Sequence, residues 1–121
     1  MVQVATSGDS LTKAVSGRAA ARLRAFRLDV ERVLPGQVES VVLFGSRARG
    51  NAQSSSDYDV AVLLGRGERP ARLGRMLSDL AFPHVRAGVP IRPIALTWSA
   101  VHLTSSIPIA RHIARDGIAI V

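Results

Sequence analysis

The chain reads as an α/β (α+β) protein, a small mixed β-sheet of three to four strands with helices packed on one face. Three observations lead there. Apolar runs at 38–44, 58–64 and 91–96 have strand length, β-branched residues and turn residues at their ends. Segments of helical periodicity lie before, between and after them. A chain of 121 residues is long enough for one sheet-and-helix core and too short for two. We therefore expect a single domain over 1–121, with its core and site within 38–96.

In order, the opening SGDSLTKAVSG is polar and broken by Gly8 and Gly17, so residues 1 to about 10 are expected as a loose arm, with Ser10 or Thr12 placed to cap a helix. From there to Leu34, the residues Leu23, Phe26, Val30 and Val33 recur at helical spacing. Arg22, Arg24, Arg27, Glu31 and Arg32 fall largely between them, which predicts an amphipathic helix with a solvated arginine face. Pro35 and Gly36 end it. The strand from Val38 to Phe44 runs into Gly45 and Ser46, and Ser46 to Arg49 has room for one helical turn before the polar loop reaches the strand from Tyr58 to Leu64. Gly65 and Gly67 turn the chain. Pro70 suits a helix start, and Leu73, Met76, Leu77 and Leu80 give that helix an apolar face up to a break at Pro83. Pro90 and Pro93 point to a third strand at an edge, or one whose amide position at 93 faces away from a neighbour. Ser106 and Pro108 open a last helix that carries Ile109 and Ile113 inward and stops at Gly117, leaving IAIV for a short strand.

Composition excludes several classes of function. No apolar run approaches the roughly 18–20 residues that cross a bilayer, and the first residues lack the basic start and apolar stretch of an export signal. With no cysteine, there are no disulfides, thiolate metal sites or cysteine nucleophile, so a soluble, cytoplasmic protein is expected. His84, His102 and His112 are scattered, without the spacing of a zinc site or a GxSxG element. The net charge of +7 asks for an anionic partner. Yet the basic residues, all arginine but for Lys13, form no dense block, and aromatics at 4% are too few for base-stacking platforms. Nucleic acid is not expected as the primary partner; a nucleotide triphosphate or an acidic protein face explains the charge equally well.

Chemistry is concentrated in VVLFGSRARGNAQSSSDYDVAVLL, residues 41–64. Asp57 and Asp59 stand two apart at a strand start, so their side chains point to the same side of the sheet while Tyr58 and Val60 point into the core. Two carboxylates so placed repel each other when ionised, and a Mg²⁺ or Mn²⁺ relieves the repulsion while keeping positions for water and phosphate oxygens. Gly45, without a Cβ, lets backbone amides approach a phosphate, and the Ser46 hydroxyl adds a donor. Arg47 and Arg49 would add charge-assisted bonds.

The combination of a strand, GS, ten intervening residues, DYD and a second strand resembles the signature of the minimal nucleotidyltransferases, small members of the DNA polymerase beta superfamily. The resemblance spans roughly residues 20–121. It implies that Gly45 and Ser46, together with Ser56 of the SD pair, hold a nucleotide triphosphate, ATP being expected. It also implies that Asp57 and Asp59 bind Mg²⁺ or Mn²⁺ and catalyse transfer of a nucleoside monophosphate with loss of pyrophosphate. Small proteins similar to this family act as antitoxins of HEPN-domain ribonuclease toxins, and some transfer AMP to a tyrosine of the toxin. A HEPN toxin is therefore the expected partner and a protein the expected acceptor, since the chain leaves no room for the extra substrate domain of aminoglycoside nucleotidyltransferases. Self-association is left open.

One departure bears on activity. The family carries a third carboxylate on the next strand, where GVPIRPIAL occurs here and Arg92 takes the corresponding position. The nine acids are Asp9, Asp29, Glu31, Glu39, Asp57, Asp59, Glu68, Asp79 and Asp116, and none lies between Asp79 and Asp116. Arg92 would repel a second metal, and it is expected to point elsewhere or to pair with Asp57 or Asp59. The alternative function that follows is a catalytically silent antitoxin that neutralises its toxin by covering it.

Overall fold

The computed structural model describes residues 8–65, 69–97 and 108–121, with the backbone alone at Gly8 and Asp9. Helix α1 spans Gly8–Ala14 and α2 spans Gly17–Val33. The loose arm thus gives way to helix earlier than expected, because Leu11 is fully buried in the core and fixes the segment around it. Ser10 and Thr12 lie inside α1. The cap of the long helix is Ser16, whose Oγ accepts from the Ala19 amide at 3.1 Å, so the single expected helix is two. On α2, Ala19, Ala20, Leu23, Phe26 and Val30 form the buried stripe, as its periodicity requires.

Strand β1 (Val38–Phe44), the short helix α3 (Ser46–Arg49) and strand β2 (Tyr58–Leu64) follow within the bounds read from the sequence. A bulge at Glu39 shifts the β1–β2 register between Val38 and Ser40. A 3₁₀ turn at Pro70–Arg72 leads into α4 (Gly74–Arg86). Pro83 does not break α4; the helix runs one more turn, held on both sides of the proline by the buried Leu77, Ala81 and His84. Strand β3 (Ile91–Thr97), helix α5 (Pro108–Asp116) and the short strand β4 (Ile118–Ala119) complete the described chain. The expected helix start at Ser106 lies outside the described residues.

The sheet order is β3-β2-β1-β4. β1 pairs antiparallel with β2 and β4, whereas β2 and β3 are parallel and joined by α4, so the sheet is mixed and β3 occupies an edge, where its prolines cost no ladder bond on the outer side. Alternation along the strands sorts the core into two layers. Val41, Leu43, Tyr58, Val60 and Val62 pack with α1, α2 and α4, while Val42, Phe44, Ala61 and Leu63 pack with Ile113 and Ile109 of α5. The mixed sheet with helices upon it is as expected, but α5 lies on the opposite face from the others, because β1 and β2 are apolar on both sides and each side needs a cover. Among the described residues no helix is long and apolar enough to cross a membrane.

Candidate active site

The site forms where β1 ends and β2 and β3 begin, on the face that α5 covers. Gly45 leaves β1 at φ +78°, a backbone that favours glycine, and a Cβ there would stand 2.6 Å from Asp59 Oδ2. Glycine is thus required twice over, for the turn and for the approach of the carboxylate. The Gly45 carbonyl accepts from the amides of Ala48 and Arg49, each at 3.1 Å, which winds α3. Gly50, also at φ +78°, closes it with its N–H on the Ser46 carbonyl.

Asp59 lies between Phe44 of β1 and Arg92 of β3 in the ladder register. Arg92 reaches across to it: Nε donates to Asp59 Oδ1 at 2.9 Å, Nη2 lies 2.7 Å from the same oxygen, and Nη1 is 3.7 Å from Asp57 Oδ2. The expected pairing of Arg92 with an aspartate is therefore present, and with both at once. Tyr58 and Val60 point the other way into the core, as the alternation predicts.

An open cavity of about 510 Å³ adjoins the pair, lined by Gly45, Ser46, Arg49, Asp59, Arg92 and, from α5, His112 with Pro108 and Ile109. A second hollow of about 330 Å³ lies beside Asp57 and Arg92, walled by Ala81, Val85, Pro90 and Pro93. Gly45, Ser46, Arg49 and Asp59 are thus brought together around one space, whereas Asp57 lines the second hollow, with Arg92 common to both. Arg47 and Ser56 are not part of it. Arg47 donates from Nε and Nη2 to the Ser56 carbonyl at 3.1 and 2.9 Å and from Nη2 to the Ser54 carbonyl at 3.2 Å, with its guanidinium 4.3 Å from the Tyr58 ring centroid. The Ser56 hydroxyl accepts from the Gln53 amide at 3.0 Å. Both side chains brace the loop that delivers Asp57.

Arg49 is anchored on Asp116, with Nη1 to Oδ2 at 2.9 Å, and Arg115 holds the same carboxylate from Nε at 3.0 Å and Nη2 at 3.1 Å. The Asp116 side chain is only 6% exposed. Burial alone would push its pKa up, but the hydrogen bonds and charges of Arg115 and Arg49 outweigh that and hold it below the usual carboxylate range. His112 Nδ1 lies 3.0 Å from Arg115 Nη2, beside the cavity. The part α5 takes in the wall, His112 included, was not read from the sequence; the inward Ile109 and Ile113 were its one signal.

Asp57 and Asp59 already converge on one cation, the guanidinium of Arg92, so they fit a single divalent ion in its place. Among the described residues no group of three or more acidic, histidine or cysteine side chains is placed to hold a metal.

A mixed sheet whose strand-end glycine–serine turn faces paired aspartates defines a nucleotidyltransferase-like domain. The family model for polymerase beta nucleotidyltransferases matches residues 30–121, and the chain belongs to that family. Among solved structures the chain is similar to a Sulfolobus solfataricus protein assigned as a nucleotidyltransferase, at 20% identity and a TM-score of 0.60 over 91% of this chain and 85% of that one. At that identity the likeness shows the fold alone. No curated protein matches the chain.

Proposed function

We propose that the protein is a minimal nucleotidyltransferase that transfers AMP from ATP, with Mg²⁺ or Mn²⁺, to a protein acceptor, as the antitoxin of a HEPN-type ribonuclease. The observation that carries the reading is the convergence of Asp57 and Asp59 on one cation beside the Gly45–Ser46 turn, at the mouth of a cavity large enough for a nucleotide. The Ser46 hydroxyl and the guanidinium of Arg49 face the phosphates, Asp116 fixes Arg49 in that position, and Pro108 and Ile109 offer the base or sugar an apolar wall. A divalent ion on Asp57 and Asp59 would neutralise charge developing at the α-phosphate. Attack is in line on that phosphorus: the acceptor hydroxyl oxygen forms the new bond as its proton passes to solvent, and pyrophosphate departs with the electrons of the broken one. The hollow beside Asp57, with Val85 exposed at its edge, gives an acceptor protein a surface to approach from.

Incubation with ATP, Mg²⁺ and the HEPN-type ribonuclease is expected to add one adenylyl mass to a tyrosine of that protein. An unmodified toxin that is still silenced on mixing would refute transfer. That outcome is the second reading, a silent antitoxin acting by coverage, and the observation favouring it is Arg92 in the place of the third carboxylate, already paired with both aspartates.

A further inference from the structure

We infer that Arg92 is an internal counter-ion of the Asp57–Asp59 pair, which holds divalent metal off the site until a nucleotide triphosphate gives the guanidinium another anion. The inference rests on the proposed function only for the identity of that anion.

The position of Arg92 follows from the ladder. Asp59 and Arg92 are in-register neighbours on parallel strands, so their side chains leave the same face of the sheet. From there one guanidinium contacts Asp59 through Nε and Nη2 and reaches toward Asp57 through Nη1. A bridging metal would lie between the same two carboxylates. Both cations cannot occupy that point, and two positive charges a few ångströms apart repel, so metal binds tightly only after the guanidinium leaves.

Leaving is easy. The Arg92 side chain is 68% exposed, against 18% for that of Asp59, and ion pairs so open to water are weak and exchange readily. Arg92 also lines both the nucleotide-sized cavity and the hollow beside Asp57, so a modest rotation keeps it at the site. A guanidinium pairs with two oxygens of a phosphate as well as with a carboxylate, and a triphosphate offers it more negative charge. A triphosphate in the cavity would draw Arg92 from the aspartates and release them for metal. Metal and nucleotide then bind as a cooperative pair, and by linkage each tightens the other by the same factor. Arg92 is a positioning residue in this scheme.

The test is Mn²⁺ binding, followed by calorimetry, with and without a non-hydrolysable ATP analogue, for the wild type and Arg92→Gln. Thermal melting checks that the exposed substitution leaves the fold intact. Arg92→Gln is expected to bind Mn²⁺ alone about tenfold more tightly than the wild type, the scale of one exposed charge removed beside a divalent ion. The analogue is expected to raise Mn²⁺ affinity more in the wild type than in the variant. Equal affinity of the two folded proteins for Mn²⁺ alone would overturn the inference and leave the transferase reading to its own assay. Tighter Mn²⁺ binding by the variant, with no analogue bound by either protein, would support the counter-ion and overturn the nucleotide as its release, and the transferase reading with it.

Discussion

The two faces of the sheet are built from the same strands and serve different ends. Toward α1, α2 and α4, the residues Val41, Leu43, Tyr58, Val60 and Val62 meet Leu23, Phe26 and Leu77 in a sealed apolar layer. Toward α5, the alternate residues begin as a core, with Val42, Ala61, Leu63 and Ile113, and then open at the strand ends into Gly45, Asp59 and Arg92. Tyr58 and Asp59 are adjacent, yet one is packed in the core and the other faces the cavity. A strand with period two lets one stretch of chain support the fold with one set of residues and the chemistry with the other. Damage to one face should then leave the other largely intact, and substitutions can test that.

The largest effect on stability is expected on the closed face. Phe26→Ala removes a fully buried ring and should cost about 3–5 kcal/mol in denaturant unfolding, with nucleotide affinity unchanged in whatever remains folded. On the open face, Asp59→Asn should lower transfer at least about a hundredfold, since even residues behind a metal ligand cost 10–100-fold when removed, while the melting temperature moves little. If Asp59→Asn unfolded the protein, the division between the faces would fail. Gly45→Ala probes the junction. At φ +78° and ψ −158°, with its Cβ pressed on Asp59 Oδ2, it should cost roughly 1–3 kcal/mol of stability and also weaken nucleotide binding, a joint effect that neither face alone would give.

A smaller effect concerns His84, 4% exposed on α4, edge-on to Phe26 and with neither ring nitrogen hydrogen-bonded. Burial, helped by Arg22 and opposed by Asp29, lowers its pKa below the usual 6.5. The folded protein therefore binds the proton less readily than the unfolded chain. The stability associated with neutral His84 is full above the unfolded value and falls as pH drops below it toward the lowered folded value. Melting followed from neutral pH into the mildly acidic range should show this decline, and His84→Leu should flatten it and raise stability at neutral pH by removing two unsatisfied nitrogens. An equal slope in the variant would place the pH dependence elsewhere.

Much of the fold was legible because its signals are local. The bounds of β1 and β2 follow from apolar runs that stop at Gly45 and Gly65, and the single turn of α3 fits between Gly45 and Gly50. The edge position of β3 was readable from Pro93. The break at Ser16 was not, because serine, glycine and alanine there fit a continuous polar opening, and only the burial of Leu11 separates α1 from it. Pro83 inside α4 misled for the opposite reason: tertiary packing of Leu77 and His84 outweighs one lost hydrogen bond. The four consecutive apolar residues of β1 name no single outer face, so the side on which α5 would lie was open. At the candidate site, the spacing singled out Gly45, Ser46, Asp57 and Asp59, and the list of acids drew attention to Arg92. The spacing could not show that Arg47 and Ser56 are bonded within their own loop, since those partners are backbone carbonyls and amides that any sequence carries.

These effects rest on nucleotidyl transfer by the open face at Asp57 and Asp59, as proposed. It is tested most directly by incubating the protein, Mg²⁺ and the toxin acceptor with ATP labelled at either the α- or the γ-phosphate. Acceptor label from the α-position, none from the γ-position and equimolar pyrophosphate are expected, with both α-label and pyrophosphate falling to background in Asp59→Asn. Label from the γ-position, or α-label undiminished in Asp59→Asn, would contradict it.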